Sequence, residues 1–147
     1  MTRYFEDFVA GDVFELGSRA ITRDEIVAFA REFDPQPLHV DDRAAADGPF
    51  GGLIASGWHT AALWMRMYAD AVLHDAVNMG SPGVEELRWL HPVRPGDTLR
   101  GRLTVLETSP STRRADRGTV RSRAELLNQR GDVVLTMVAR GFFGRRP

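Results

Sequence analysis

Apolar residues recur at two spacings along the chain, and the change of period separates helical from strand-forming parts. Residues 13–21 (Val-Phe-Glu-Leu-Gly-Ser-Arg-Ala-Ile) read as a first strand. Thr22-Arg23-Asp24-Glu25 places Thr at an N-cap and Glu three positions on, a capping box, so a helix is predicted to begin there. Ile26, Val27, Phe29, Ala30 and Phe33 continue at helical spacing, and Pro35 pushes Asp34 out of the α region, ending the helix near Phe33. Residues 56–74 form a second helical segment, with Ser56 as the predicted cap. From Trp58 to Leu73 almost every residue is apolar, and a helix apolar around most of its circumference is buried. His59, Arg66 and Asp70 interrupt it, which argues against a membrane span and predicts the central helix of the domain.

After Pro82-Gly83 the period becomes 2. Leu87, Trp89 and His91 alternate with Glu86, Arg88 and Leu90; past a Pro95-Gly96-Asp97 turn, Leu99, Gly101, Leu103 and Val105 alternate with Arg100, Arg102, Thr104 and Leu106. Residues 109–118 read as a polar loop, and strands are predicted at about 119–127 and 132–143, joined by Asn128-Gln129-Arg130-Gly131. One strand, helices, then a run of antiparallel strands predicts an α+β domain over residues 1–147, one long helix packed on a sheet. No repeat or linker divides it.

Composition narrows the chemistry. With 43% hydrophobic and 27% charged residues among 147, the chain reads as an ordinary globular protein. There is no cysteine, which excludes disulfides, thiolate catalysis and Cys-based zinc sites. Every Lys/Arg position is arginine, so a Schiff-base lysine is excluded too. The N-terminus carries no signal-peptide pattern, and the expected location is the cytoplasm. Residues 1–73 hold six arginines against twelve acids, and residues 74–147 thirteen against eight. The basic half would attract a phosphorylated ligand, or simply be a solvated strand face; its 113–123 stretch lacks the interleaved aromatics of a nucleic-acid site.

Asp34-Pro35-Gln36-Pro37-Leu38-His39 is the sharpest local feature. An acid and an imidazole sit five positions apart in a loop that two prolines stiffen, a suitable mount for an acid–base pair; the same residues would also serve as a turn and a cap. Phe50-Gly51-Gly52-Leu53-Ile54-Ala55-Ser56-Gly57-Trp58 is the second. Its glycines permit unusual φ or close backbone approach, and the free N–H groups where the central helix begins form an oxyanion site or a plain helix start. His59 reads as a core histidine, His74 as a helix-end cation and His91 as a structural strand residue. The histidine spacing fits no metal site, and no phosphate-binding or nucleophile-elbow motif is present.

Taken together these features resemble the MaoC-like (R-specific) enoyl-CoA hydratase family, whose motif runs Asp-x-Asn-Pro-(aliphatic)-His and is followed by a glycine that opens the central helix. Asp34, Pro37, Leu38 and His39 match it, Gly57 follows 18 residues after His39, and Pro92-Val93-Arg94-Pro95-Gly96-Asp97-Thr98-Leu99 is similar to the family's strand and turn after the helix. The chain departs from the pattern with Gln36 for the motif's Asn, Ser56 for a frequent His, and Met65 for a Ser of some members. The resemblance implies a hot-dog fold, a curved antiparallel sheet around the long helix, and a homodimer acting on an acyl-CoA thioester with no cofactor, metal, membrane or nucleic acid. It implies Asp34 and His39 as the water-activating pair and the Gly57 N–H as the thioester oxyanion donor. Ser56 and Trp58 are expected beside the acyl group, and Arg94, Arg113, Arg114 and Arg117 are candidates for the CoA phosphates. Trp58, Trp64, Met65, Met67 and Tyr68 on the pocket's helix predict a preference for short or branched acyl groups, roughly C4–C6, over long straight chains. Two other readings are a hot-dog acyl-CoA thioesterase and a non-catalytic acyl-thioester binder.

Overall fold

In a computed structural model describing all residues from Met1 to Pro147, β1 spans Val13–Ala20 and leads straight into α1, Arg23–Phe33. The cap is the predicted one: the Thr22 hydroxyl accepts from the Glu25 amide at 3.1 Å. Asp34 ends α1 at φ −155°, ψ 67°, outside the α region as Pro35 requires. Two short helices then appear where only a loop is predicted. α2, Pro37–Val40, opens on a proline whose missing N–H costs nothing at a first turn, and α3, Asp42–Ala46, is capped by the Asp41 carboxylate.

The long helix, α4, runs Gly57–Ala71 and gives way to a 3-10 turn at Leu73–Asp75. Four strands follow: β2 Gly83–Trp89, β3 Thr98–Pro110, β4 Arg117–Leu127 and β5 Val133–Gly144. All pairings are antiparallel, and the sheet order is β1-β3-β4-β5-β2, with β1 and β2 at the edges. β3 keeps the predicted alternation, Leu99, Gly101, Leu103 and Val105 inward. The sheet packs around α4 through Leu63, Trp64 and Met67, with Leu16, Leu103 and Leu135 in the same core. This is the hot-dog arrangement.

Three expectations change. β3 extends to Pro110 because Ser109 and Pro110 still pair with Thr119 and Gly118, which shortens the predicted polar loop to 111–116. β2 shows almost no alternation of burial, because it lies at an edge. α4 is buried on one face only; Trp58 and Met65 stay largely exposed. No helix is long and apolar enough to cross a membrane.

Candidate active site

α1 and α2 deliver the two motif residues to one another. The Asp34 amide closes α1 on the Ala30 carbonyl at 2.8 Å, and α2 turns His39 back so that Nε2 lies 3.3 Å from Asp34 Oδ2. His39 is buried, with Nδ1 2.8 Å from the Ile54 carbonyl. A carbonyl only accepts, so Nδ1 carries the proton there, and Nε2 of the neutral ring is the free lone pair. That lone pair faces a carboxylate oxygen. A water molecule that donated one O–H to each would satisfy both acceptors.

The two-glycine segment supplies the opposite wall. Gly51 adopts φ 64° and Gly52 φ 159°, and the Arg94 guanidinium donates to the Phe50 carbonyl at 2.7 Å beside this turn. The chain then runs back with Ile54 N–H on the Leu38 carbonyl and Ala55 N–H on the Val93 carbonyl. Ser56 arrives beneath Asp34. Its hydroxyl does not cap α4 as expected; it donates to Asp34 Oδ2 at 2.7 Å. Ser56 is fully buried, so the expected direct contact with an acyl group is not available to it.

With no cap, the amides of Gly57, Trp58 and His59 have no protein partner. Gly57 also has a packing reason to be glycine. The Trp89 indole donates to the Gly57 carbonyl at 2.8 Å, and a Cβ on Gly57 would lie 2.4 Å from Trp89 Cε2. Trp58 meets Trp89 edge-on, ring centroids 5.2 Å apart.

These groups line one open cleft of about 420 Å³, which contains Asp34, His39, Gly57 and Trp58. Sequence reasoning missed Thr60, Trp89, Leu90 and His91 in its wall. His91 lies beyond the end of β2 and is exposed, not a structural strand residue. No local pattern marks these positions, because long-range packing brings the β2–β3 connection over α4. Arg94 stands beside the cleft through its bond to Phe50, a cleft residue. Arg113, Arg114 and Arg117 flank the β3–β4 turn instead. At about 3.3 Å per residue, the end of β3 lies roughly 40 Å along the strand from Thr98, so these three do not reach the cleft of their own chain; Arg114 and Arg117 pair with Asp116. Of the five bulky helix residues, only Trp58 lines this cleft. Trp64, Met65 and Tyr68 line a second, separate cavity of about 330 Å³, and Met67 is buried against Gly101. Within one chain the size of the site is set by Phe50, Trp58, Trp89 and Leu90, because the α4 face bearing Met65 turns away from it.

Electrostatics separate the members of the pair. The hydrogen bond from Gln36 (2.6 Å to Oδ1) and then that from Ser56 hold the Asp34 carboxyl below the usual carboxylate range. Partial burial opposes them, and His39, whenever its ring is protonated, adds a smaller lowering. No group of three or more His, Asp or Glu side chains is placed to hold a metal ion.

The sequence and the fold both have relatives. The family model described as MaoC like domain matches residues 8–126. The crystal structure of a MaoC-like dehydratase from Rhodospirillum rubrum is 44% identical and superposes with a TM-score of 0.91, over 98% of each chain. The R-hydratase PhaJ1 from Pseudomonas aeruginosa is 28% identical, with a TM-score of 0.79 over 99% of this chain and 88% of that one. A 3-hydroxybutyryl-CoA dehydratase from Methylorubrum extorquens is 35% identical over 117 residues, 76% of this chain and 69% of its own length.

Proposed function

Because the chain belongs to the MaoC-like domain family, we propose that it is a hydratase–dehydratase that adds water reversibly across the C2–C3 double bond of an enoyl-CoA, giving a 3-hydroxyacyl-CoA. The observation that carries this reading is the Asp34–His39 pair, 3.3 Å apart in the wall of a cleft that also holds the unpaired Gly57 amide. A water bound to both side chains loses a proton to the pair as its oxygen attacks C3. Negative charge passes to the thioester oxygen, which accepts from the Gly57 N–H. The pair then delivers a proton to C2, and the balance is one water added. General acid–base catalysis contributes about 10²–10⁴-fold and an oxyanion donor on the order of 10²–10³-fold. The relatives that act as an R-hydratase and a 3-hydroxybutyryl-CoA dehydratase support this class of reaction. Of the four candidate arginines, Arg94 lies beside the cleft of its own chain, where it donates to the Phe50 carbonyl, and this supports it as the contact for a CoA phosphate.

The working unit in this reading is a homodimer. β2 pairs only with β5 and leaves its other edge open, and Val84, Trp89 and Leu90 are exposed on or just after it. A second copy would cover that edge.

Crotonyl-CoA is the direct test. The expected result is loss of the enoyl absorbance without release of free thiol; thiol release would instead mark thioester hydrolysis, and neither change would leave a binding role. Asp34→Asn and His39→Ala each remove more than roughly nine-tenths of kcat, and the double variant is scarcely worse, because residues acting as a unit are non-additive. A folded single variant that keeps more activity than this removes the pair from the mechanism.

A further inference from the structure

A serine at the start of a helix ordinarily turns its hydroxyl oxygen onto the N–H two or three residues on. For Ser56 those are the amides of Trp58 and His59, and neither is used. The hydroxyl proton goes to Asp34 Oδ2 at 2.7 Å, the oxygen that also faces His39 Nε2. Ser56 is 0% exposed, so water has no access to replace that bond. Gln36 binds the other carboxylate oxygen from an exposed position, where water can substitute for it. The one dry hydrogen bond that fixes the carboxylate therefore comes from a residue that cannot touch substrate.

We propose that Ser56 is a positioning residue: its buried hydroxyl holds the Asp34 carboxylate in register with His39. The inference rests on the hydratase reading for its catalytic meaning, but the Ser56–Asp34 coupling is measurable without substrate. Loss of the Ser56 proton takes a stabilising bond from the ionised form of Asp34, so the Asp34 midpoint moves up. The other titratable groups lining the cleft are His39 and His91.

The test uses Ser56→Ala, which removes the donor, and Ser56→Cys, which nearly keeps the volume and leaves a weak donor; circular dichroism checks the fold of each. In protein labelled with carbon-13 at aspartate carboxyls, the Asp34 titration is followed without ligand. The expected result is an upward movement in Ser56→Ala and a smaller one in Ser56→Cys. With crotonyl-CoA, kcat falls roughly tenfold in Ser56→Ala while KM changes less than about twofold, the loss of one hydrogen bond to a charged group. The acid limb of kcat/KM against pH moves up with the Asp34 midpoint, which a merely structural serine would not cause. An Asp34 midpoint unmoved in both folded variants overturns the proposal. A moved midpoint in a protein that hydrates no enoyl-CoA overturns the hydratase reading instead, and leaves the Ser56–Asp34 coupling standing.

Discussion

His59 sits one turn from the proposed site and takes no part in it. Its ring stacks on Phe29, centroids 4.6 Å apart and planes 7° from parallel, and its Nδ1 is buried with no partner. Burial, with a smaller effect from Arg19, pushes its pKa below the ordinary histidine value, against an opposing effect of Glu25. The folded protein therefore holds it neutral, whereas the unfolded chain protonates it near pH ~6.5. Below that value the unfolded state binds more protons, so stability falls as pH drops. His59→Phe keeps the stack and removes the titration. The expected outcome is that denaturant midpoints of wild type and variant, measured between about pH 7 and 5, converge or cross towards acid because the variant loses less. Parallel decline of the two would assign the loss to other groups. The Asp34 contribution lies lower: its depressed pKa adds stability that is present above about pH 3.9 and lost as pH falls through the folded value.

At the scale of elements, the amino end of α4 depends on how closely β2 approaches it. A Cβ on Gly57 would sit 2.4 Å from Trp89 Cε2, so Gly57→Ala must displace the indole and its bond to the Gly57 carbonyl. The expected cost is about 1–3 kcal/mol of unfolding free energy, read from denaturant midpoints with a change in tryptophan emission. Trp89→Ala in the same chain should recover part of the Gly57→Ala loss, because contacting residues are not additive; strict additivity would place the strain elsewhere. This contact also marks where the sequence stops being legible. The ends of α1, the alternation in β3 and the Asn128–Gly131 turn were readable because caps, period and turn residues are local. The Asp34–His39 pairing was readable only through the resemblance to the MaoC-like motif, since the six residues by themselves serve equally as a turn and a cap. The Ser56 bond to Asp34, the Trp89 indole over Gly57 and the place of His91 in the cleft were not, since each joins segments that only the packing of α4 under the sheet brings together. The placement of the arginines was not readable for the same reason: local charge said nothing about which end of β3 faces the cleft of its own chain.

The charge asymmetry between the two halves of the chain is partly resolved where they meet, as Arg102 pairs with Glu15, Arg145 with Glu6 and Arg146 with Asp7. Glu85, on a bulge in β2, pairs with both Arg121 and Arg140, tying the edge strand to β4 and β5 and holding its own carboxyl below the usual range. β2 is thus anchored on one side and open on the other. An edge strand with exposed Val84 and Trp89, flanked by exposed Leu90 and by Trp58 and Met65 of α4, is unsuited to face water alone. Pairing with a second copy would satisfy the free backbone groups and cover these side chains together, and it would bring one chain's second cavity, with Trp64, Met65 and Tyr68, towards the partner. Wild-type protein is therefore expected to sediment at twice the chain mass. Val84→Lys places a charge on the open edge, at a residue that touches neither Asp34 nor His39 and is absent from the cleft wall. It should shift sedimentation towards a single chain at micromolar concentration, and crotonyl-CoA hydration should fall with dilution more steeply than in wild type. A wild-type protein that sediments as a single chain while hydrating crotonyl-CoA would sink the dimer and confine the site to the one cleft formed by α1, α2, α4 and the β2–β3 connection.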